Sequence, residues 1–450
     1  MSAAQRRHRL FPVSGSRAGR SGVAQYLWSR RRGTVTQQQT PWRQHGLIQA
    51  VFFLMGAELF LASPLLPTIS GDFGTSIAAT AWVVTVFGLS YAIASPLVGA
   101  LTEHLPRRRV IVSGIAVFAT GELLCALAPG LGWLLAARVI GGIGGALVGP
   151  AMWAYLAETA APRERGRAIA RGSAAYAGGQ IVGVPLATFA AAASSWRFAF
   201  AVVALGLVVA GTLIALRLRE SIRAAGSSAR PLGALRSSFG LWKVGVFRTI
   251  MAGNFFVQAA RLGTYAYAGA LFATRFDFGT GVLGLVGMAV GVGSLIGSLI
   301  AGPLIDRWSS AGRHVSQLSV GWGLALAVGL AVATTADSWQ LMLAGFVLAF
   351  FCGTAFFSTA QVYLTTVMAD RRAPAVSWNN SVLYIGTGAG TTALGLTTLG
   401  GTAFAVCSVV FALCAAGFSA VLALRRPDAR MRTSDQAERN SGRPARGPAE

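Results

Sequence analysis

Twelve stretches of about 20 apolar residues, each long enough to cross a bilayer as a helix, restrict what this chain can become. They run at 46–68, 80–102, 109–128, 132–153, 169–191, 198–217, 247–271, 281–304, 316–335, 338–362, 378–399 and 402–424. Hydrocarbon offers backbone N–H and C=O groups no water, so each stretch must close its hydrogen bonds within itself, as a helix. Charged residues are only 12% of the 450, against roughly 25% in a soluble domain. The pattern predicts an all-α membrane protein with 12 transmembrane helices. Spans 1–6 (46–217) and 7–12 (247–424) form two halves of six helices each, separated by a polar linker over 218–246. A basic arm (1–45) and a tail (425–450) flank them, and both are expected to be disordered and cytosolic.

The formal charge of +23 would ordinarily raise nucleic acid as a partner. Its distribution excludes that. With the N-terminus inside, all but four of the 38 basic residues fall in cytosolic segments, the exceptions being Arg138, Arg197, Arg261 and Arg275. This is the positive-inside pattern, and it accounts for the charge as topology and attraction to anionic lipid. The expected location is the cytoplasmic (inner) membrane, with both termini cytosolic. Lys243 is the only lysine, so no glycine-rich phosphate loop ending in Lys-Ser/Thr exists. Cys125, Cys352, Cys407 and Cys414 lie in apolar runs without metal-ligand spacing, as buried fillers do. His8, His45, His104 and His314 all lie outside the spans. An intramembrane enzyme would need a nucleophile–base pair or a metal cluster at depth, so neither catalysis, a metal nor a cofactor is expected.

Two loops repeat at one offset. Gly302-Pro-Leu-Ile-Asp306-Arg307 closes span 8, and 203 residues earlier Gly99-Ala-Leu-Thr-Glu103, followed by Arg107, closes span 2. The chain therefore reads as two similar halves. Span 4 holds Arg138-Val-Ile-Gly141-Gly142, span 5 holds Gly179-Gln-Ile-Val-Gly183-Val-Pro185, and Trp196-Arg197-Phe198 follows. Ala62-Ser-Pro64-Leu-Leu-Pro67 ends span 1.

In these motifs, residues 46–424 resemble the major facilitator superfamily, in its 12-span drug:proton antiporter branch of the arabinose-efflux and chloramphenicol-efflux type. The first loop departs from that pattern, with Glu103, His104 and Pro106 where the signature has Asp, Arg and Gly. The resemblance implies two pseudo-symmetric bundles with substrate between them near the midplane, and alternating access by rocking. It assigns Gly179, Gly183 and Pro185 to antiport. Small-residue spacing also brings span 5 close to Gly287-x-x-x-Gly291 and Gly293-x-x-x-Gly297 of span 8. The two loops form the expected cytosolic gate: Gly99, Glu103 and Arg107 in one, Gly302, Asp306 and Arg307 in the other. There an acid pairs with arginine in one state and separates in the other; ordinary positive-inside loops with a tight glycine turn are the plainer reading.

Four ionisable residues lie within spans: Glu58, Glu122, Arg138 and Arg261. A charge at bilayer depth costs at least about 2.5–3.5 kcal/mol and calls for a partner or water. Glu122 and Arg138 lie about eight residues either side of the turn at Gly130, which predicts an ion pair. Glu58 and Arg261 are 203 residues apart, the offset of the loops, and are expected on cavity faces of spans 1 and 7. Glu58 is the expected proton-coupling carboxylate, loaded and emptied as the halves rock. A static bridge to Arg261 or to Arg138 is the alternative.

Asn254, Gln258, Arg261 and Tyr265 share one face of span 7. Thr354, Ser358, Gln361 and Thr365 do so on span 10, and Asn380, Tyr384, Thr387 and Thr391 on span 11. Such stripes predict a hydrated cleft, or hydrogen bonding between helices. Trp82, Tyr91, Trp153, Tyr155, Tyr176 and Phe255 are candidates to line an amphiphile pocket or the lipid interface. The function expected is proton-coupled efflux of small amphipathic organic molecules such as antibiotics, by a monomer. Its partners would be the solute, protons and membrane lipid. A sugar or metabolite transporter on the same fold is the alternative.

Overall fold

The computed structural model describes residues 42–102, 105–160, 164–220, 238–368 and 371–424. The expectations for most of the arm, most of the linker, the tail and Glu103 fall outside these residues. Twelve helical elements alternate in direction. Six make the first half: α1 (Trp42–Phe73), α2 (Trp82–Leu101), α3 (Arg107–Ala126), α4 (Leu131–Thr159), α5 (Arg165–Ala193, in three pieces) and α6 (Trp196–Arg217). The second half has α7 (Gly245–Phe276, broken), α8 (Thr280–Ser310), α9 (Ser316–Thr335), α10 (Trp339–Val367), α11 (Arg372–Gly395) and α12 (Thr402–Leu424). The ends of α1 and α12 nearest the chain termini define a terminal face, and the opposite ends a distal face. Ser195 and Ser338 cap α6 and α10 with their side chains, each satisfying a helix-end N–H.

Ten of these helices are long and apolar enough to cross a membrane, and α7 and α11 are not among them. Helix α7 is interrupted by a π-turn at Ala259–Gly263 and again at Tyr267. Helix α11 carries Asn379, Asn380 and Ser381 before a threonine-rich distal half. Both pack inside the protein, α11 against α2 and α7, so neither needs lipid on all sides. Helix α8 runs through Gly302 and Pro303 to Ser310. The turn expected at Gly302 instead lies at Gly312, whose φ of 70° suits a residue without a Cβ.

Glycines fix how the helices meet, and the structure corrects which ones face which. A Cβ on Gly179 would collide with the Phe53 carbonyl of α1, and one on Gly183 with the Ala57 side chain. The expected α5–α8 approach does occur, with glycine on the α8 side only: Gly284, Gly287 and Gly291 face Thr188, Val184 and Ile181. Gly293 and Gly297 face Val347 and Phe351 of α10 instead. Pro185 follows a π-turn at Gly179–Gly183. Such a turn accommodates the bond that a proline N–H cannot make.

The hydrogen bonds that cross between halves lie toward the distal face. Ser63 Oγ donates to the Tyr265 carbonyl at 2.6 Å and accepts from Gly269 N–H at 3.2 Å. Thr68 meets Thr280 at 2.9 Å, and Thr85 meets the Gly388 carbonyl and Thr392, each at 3.5 Å. An apolar seam joins Phe60, Leu66 and Val184 of the first half to Tyr265, Leu262 and Val286 of the second.

If backbone approach at Gly179 holds α5 on α1, Gly179→Val will lower thermal stability by at least the about 1–3 kcal/mol of an overpacked core. Gly417→Ala, with open space around it, will leave the melting curve unchanged. Fluorescence-detected size exclusion after graded heating checks both.

Candidate functional site

The buried charges separate into two groups, one in each half. In the first, Arg138 of α4 lies between two carboxylates. Its Nη1 is 2.5 Å from Glu58 Oε1 of α1 and 3.4 Å from Glu122 Oε1 of α3. All three side chains are at most 3% exposed. Arg138 Nε donates to the Val83 carbonyl of α2 at 3.2 Å, and the guanidinium lies 4.3 Å from the centre of the Phe87 ring. Four helices thus converge on one cation. Glu122 Oε2 is buried with no hydrogen-bond partner. With every group ionised the cluster carries one excess negative charge, which a single proton would cancel.

The turn at Pro129-Gly130 sets this geometry by bringing Glu122, one helical turn from the end of α3, level with Arg138 near the start of α4. Gly121 and Gly141 let the two helices touch at backbone level, and Gly142 does the same for α4 against Phe87 of α2.

In the second half, Arg261 lies inside the π-turn of α7 and is 7% exposed. It does not pair with Glu58. Its Nη2 donates to Gln258 Oε1 at 2.9 Å and its Nη1 to Thr354 Oγ1 of α10 at 2.5 Å. The guanidinium lies 5.3 Å from the centre of the Phe350 ring. From Gln258 a chain of amides continues: Gln258 donates to Asn254 Oδ1 at 3.5 Å, and Asn254 to Asn379 Oδ1 of α11 at 2.6 Å. Asn379 in turn donates to Gln361 Oε1 of α10.

The expected hydrated face of Asn254 and Gln258 is therefore wholly buried, Gln258 bonded to Asn254 and Arg261 of its own helix and Asn254 to Asn379 of α11. On α11 the network takes Asn379, while the predicted Asn380 is half-buried beside it. The signal that picks Asn379 is the glycine stripe on its own face. Gly386 and Gly390 meet the Phe255 and Ala259 carbonyls of α7, so that face, and not the threonine face, points at α7. Thr387 and Thr391 return their hydroxyls to carbonyls one turn back.

Three tyrosines bridge the halves between the two charged groups. Tyr91 of α2 lies with its ring centre 4.0 Å from that of Tyr384 of α11. Tyr384 lies near Tyr176 of α5, which is close enough to both Glu58 and Arg261 to interact with their charges. Tyr265 is buried against Phe60 and Phe350. Trp82 faces outward.

At the terminal face the described gate residues form no ion pair with one another. Asp306 and Arg307 are exposed and take part in none of the ion pairs among the described residues. Gly99 lies in the last turn of α2. Arg107 pairs with Glu158 of α4, its Nε and Nη2 both 3.1 Å from Oε1. Nearby His314 lies beside Tyr363, and burial holds its imidazole below the ordinary range.

The Major Facilitator Superfamily profile matches residues 50–315 and, in a second copy, 250–447. The chain belongs to the major facilitator superfamily. Within this superfamily of transporters, it is 26% identical over 352 residues to the uncharacterized MFS-type transporter YceJ of Bacillus subtilis, covering 78% of this chain and 87% of that protein. It is 30% identical over 171 residues to multidrug resistance protein 1 of the same species, covering 38% of this chain and 44% of that protein. Among solved structures, a bacterial homolog of the human lysosomal transporter Spinster, inward-facing and unoccupied, superposes with a TM-score of 0.71 at 18% identity. That match covers 87% of this chain and all of the other. The Arg138 cluster lies in the first half and Arg261 in the second, with Tyr91 and Tyr384 packed against each other between the halves.

Removing one partner of a buried ion pair costs about 3–5 kcal/mol, because the other charge is left uncompensated. Arg138→Gln will therefore destabilise the protein by that order. Adding Glu58→Gln and Glu122→Gln to it will recover most of the loss. Thermal unfolding of the purified single and triple variants in one detergent checks the pair.

Proposed function

We propose that this protein is a proton-coupled exporter of small amphipathic organic molecules, working as a monomer by alternating access. The observation that carries the reading is the shared guanidinium of Arg138: two buried carboxylates compete for one cation. A site with one excess negative charge at bilayer depth is costly when dry. A proton relieves it, and water relieves it when the site opens.

Membrane orientation is read from charge, and the conformational state from which face is closed. The arginine distribution assigns the terminal face to the cytosol. The hydrogen bonds between halves lie on the distal side, which is then the outside. We therefore read this as a cytosol-facing state, with which the exposure of Asp306 and Arg307 is consistent. Glu58 lies between these regions, on the helix whose distal part is held to α7 and α8 through Ser63 and Thr68. Rocking that releases those bonds changes the wetting of Glu58. The Gly179–Gly183–Pro185 segment and the relative named a multidrug resistance protein support export over uptake.

A sugar is the weaker reading. Sugar recognition needs amides with free donors and acceptors, whereas those of Asn254, Gln258, Asn379 and Gln361 bond one another. The aromatic residues Tyr91, Tyr176 and Tyr384 suit flat apolar bodies better.

Everted vesicles carrying the protein, loaded with a pH-sensitive dye and offered ethidium, chloramphenicol and nalidixate in turn, test the coupling. At least one solute is expected to drive proton release. Glu58→Gln will lower that signal at least tenfold while solute binding persists. Undiminished release in Glu58→Gln overturns the role given to Glu58.

A further inference from the structure

The two buried arginines are treated differently by the fold. Arg138 is held by two carboxylates, whereas Arg261 is held by neutral groups: an amide oxygen, a hydroxyl and an aromatic face. Its Nε is buried with no hydrogen-bond partner. Among the described residues no carboxylate lies within 4.0 Å of it, and the acids within the spans, Glu58 and Glu122, already belong to Arg138. A guanidinium at this depth carries a full positive charge that neutral dipoles only partly offset.

The surroundings of Arg261 have the form of a site. Gln258 and Thr354 anchor the planar fork from two helices, which fixes its orientation. Gly353 lies against its stem, where a Cβ would come within 2.5 Å of Arg261 Cδ, so the absent side chain makes room for the arginine. Across the seam Tyr176, from the other half, is near enough to interact with it electrostatically. A phenol beside a guanidinium supplies a second hydrogen-bond donor for an acidic group, and an arginine fork binds a carboxylate better than a point charge does.

We propose that Arg261 is the anchor for an anionic group on the transported molecule, with Tyr176 of the other half contributing, and that the substrate class is small aromatic or amphipathic organic carboxylates. This rests on the transporter reading above and narrows its substrate. The anion supplies the charge that Arg261 lacks, and the tyrosine rings flank its apolar body. Because Arg261 and Tyr176 belong to opposite halves, a carboxylate held by both links the halves when it binds.

The test is equilibrium binding to the purified full-length protein in nanodiscs, without a proton gradient, read by thermal shift and tryptophan fluorescence. The probes are nalidixate, salicylate and benzoate, each set against its uncharged amide, with sodium chloride as the inorganic control. At least one acid is expected to bind at least tenfold more tightly than its amide, and chloride to give no shift at matched concentration. Arg261→Gln will abolish the acid–amide difference, Arg261→Lys will keep part of it, and Gly417→Ala, remote from both charged groups, will keep all of it. Amides that match their acids, acids that leave the protein unmoved, a chloride shift equal to theirs, or an acid preference surviving in Arg261→Gln each overturn the inference. Lysine at 261 retains the charge, so a folded Arg261→Lys protein with no acid preference at all also counts against it. Failure of proton coupling would appear in the vesicle assay with this preference intact, so the two readings fail separately.

Discussion

One guanidinium divided between two carboxylates governs how the first half is built. Three ions cannot be taken out of water unless their partners sit within hydrogen-bond reach, and here those partners come from α1, α3 and α4, with a carbonyl from α2. The glycines around the cluster follow from that requirement. Gly121 against Gly141 and Gly142 against Phe87 bring the helices within reach of Arg138; larger residues would separate acid from base. The charge cluster and the close packing therefore depend on each other.

The second half reuses the helix order and resolves its polar groups differently. At the offset of 203 residues that relates the two loop motifs, Glu58 is answered by Arg261. The base stands among amides that bond one another from α7 through α10 and α11, not among acids. The divergence suits a division of labour. A half with excess negative charge can exchange a proton, and a half with an uncompensated cation can hold an organic anion. Tyr176 and Tyr384 lie between, near each other across the seam.

Much of this architecture is legible in the sequence because hydrocarbon leaves the backbone few options. Runs of apolar residues give the helices, and the near-equal distances of Glu122 and Arg138 from Gly130 give their pairing. The misread details are those that helical spacing cannot rank. Asn379 and Asn380 differ by 100° around α11, and a polar stripe favoured Asn380, while the packing face carries Gly386 and Gly390. Glu58 had two arginines available by depth, and only the positions of α1 and α4 decide for Arg138. The glycines of α8 split between α5 and α10, although their spacing looks continuous. Asp306 and Arg307 read as gate residues because their loop repeats at the 203-residue offset, and a repeated motif does not say in which state its charges are paired.

The weakness of the seam between halves is itself informative. Beside its apolar packing, its polar contacts are those of the Ser63, Thr68 and Thr85 hydroxyls, and two of these five hydrogen bonds are as long as 3.5 Å. Each such bond contributes about 0.5–1.5 kcal/mol net. The described ion pairs all lie within the first half. Had a buried salt bridge spanned the seam, opening it would have stranded two charges at a cost of about 3–5 kcal/mol, fixing one state against the other. Confining the strong interactions to the interior of each half and joining the halves with weak ones keeps the bundles rigid. It also keeps the two states within the few kcal/mol that binding a proton or a solute can shift. The interrupted helix α7 fits the same logic: its distal piece carries Gly269 onto Ser63, so that this contact can release without displacing the terminal part, where Asn254 holds α7 to α11.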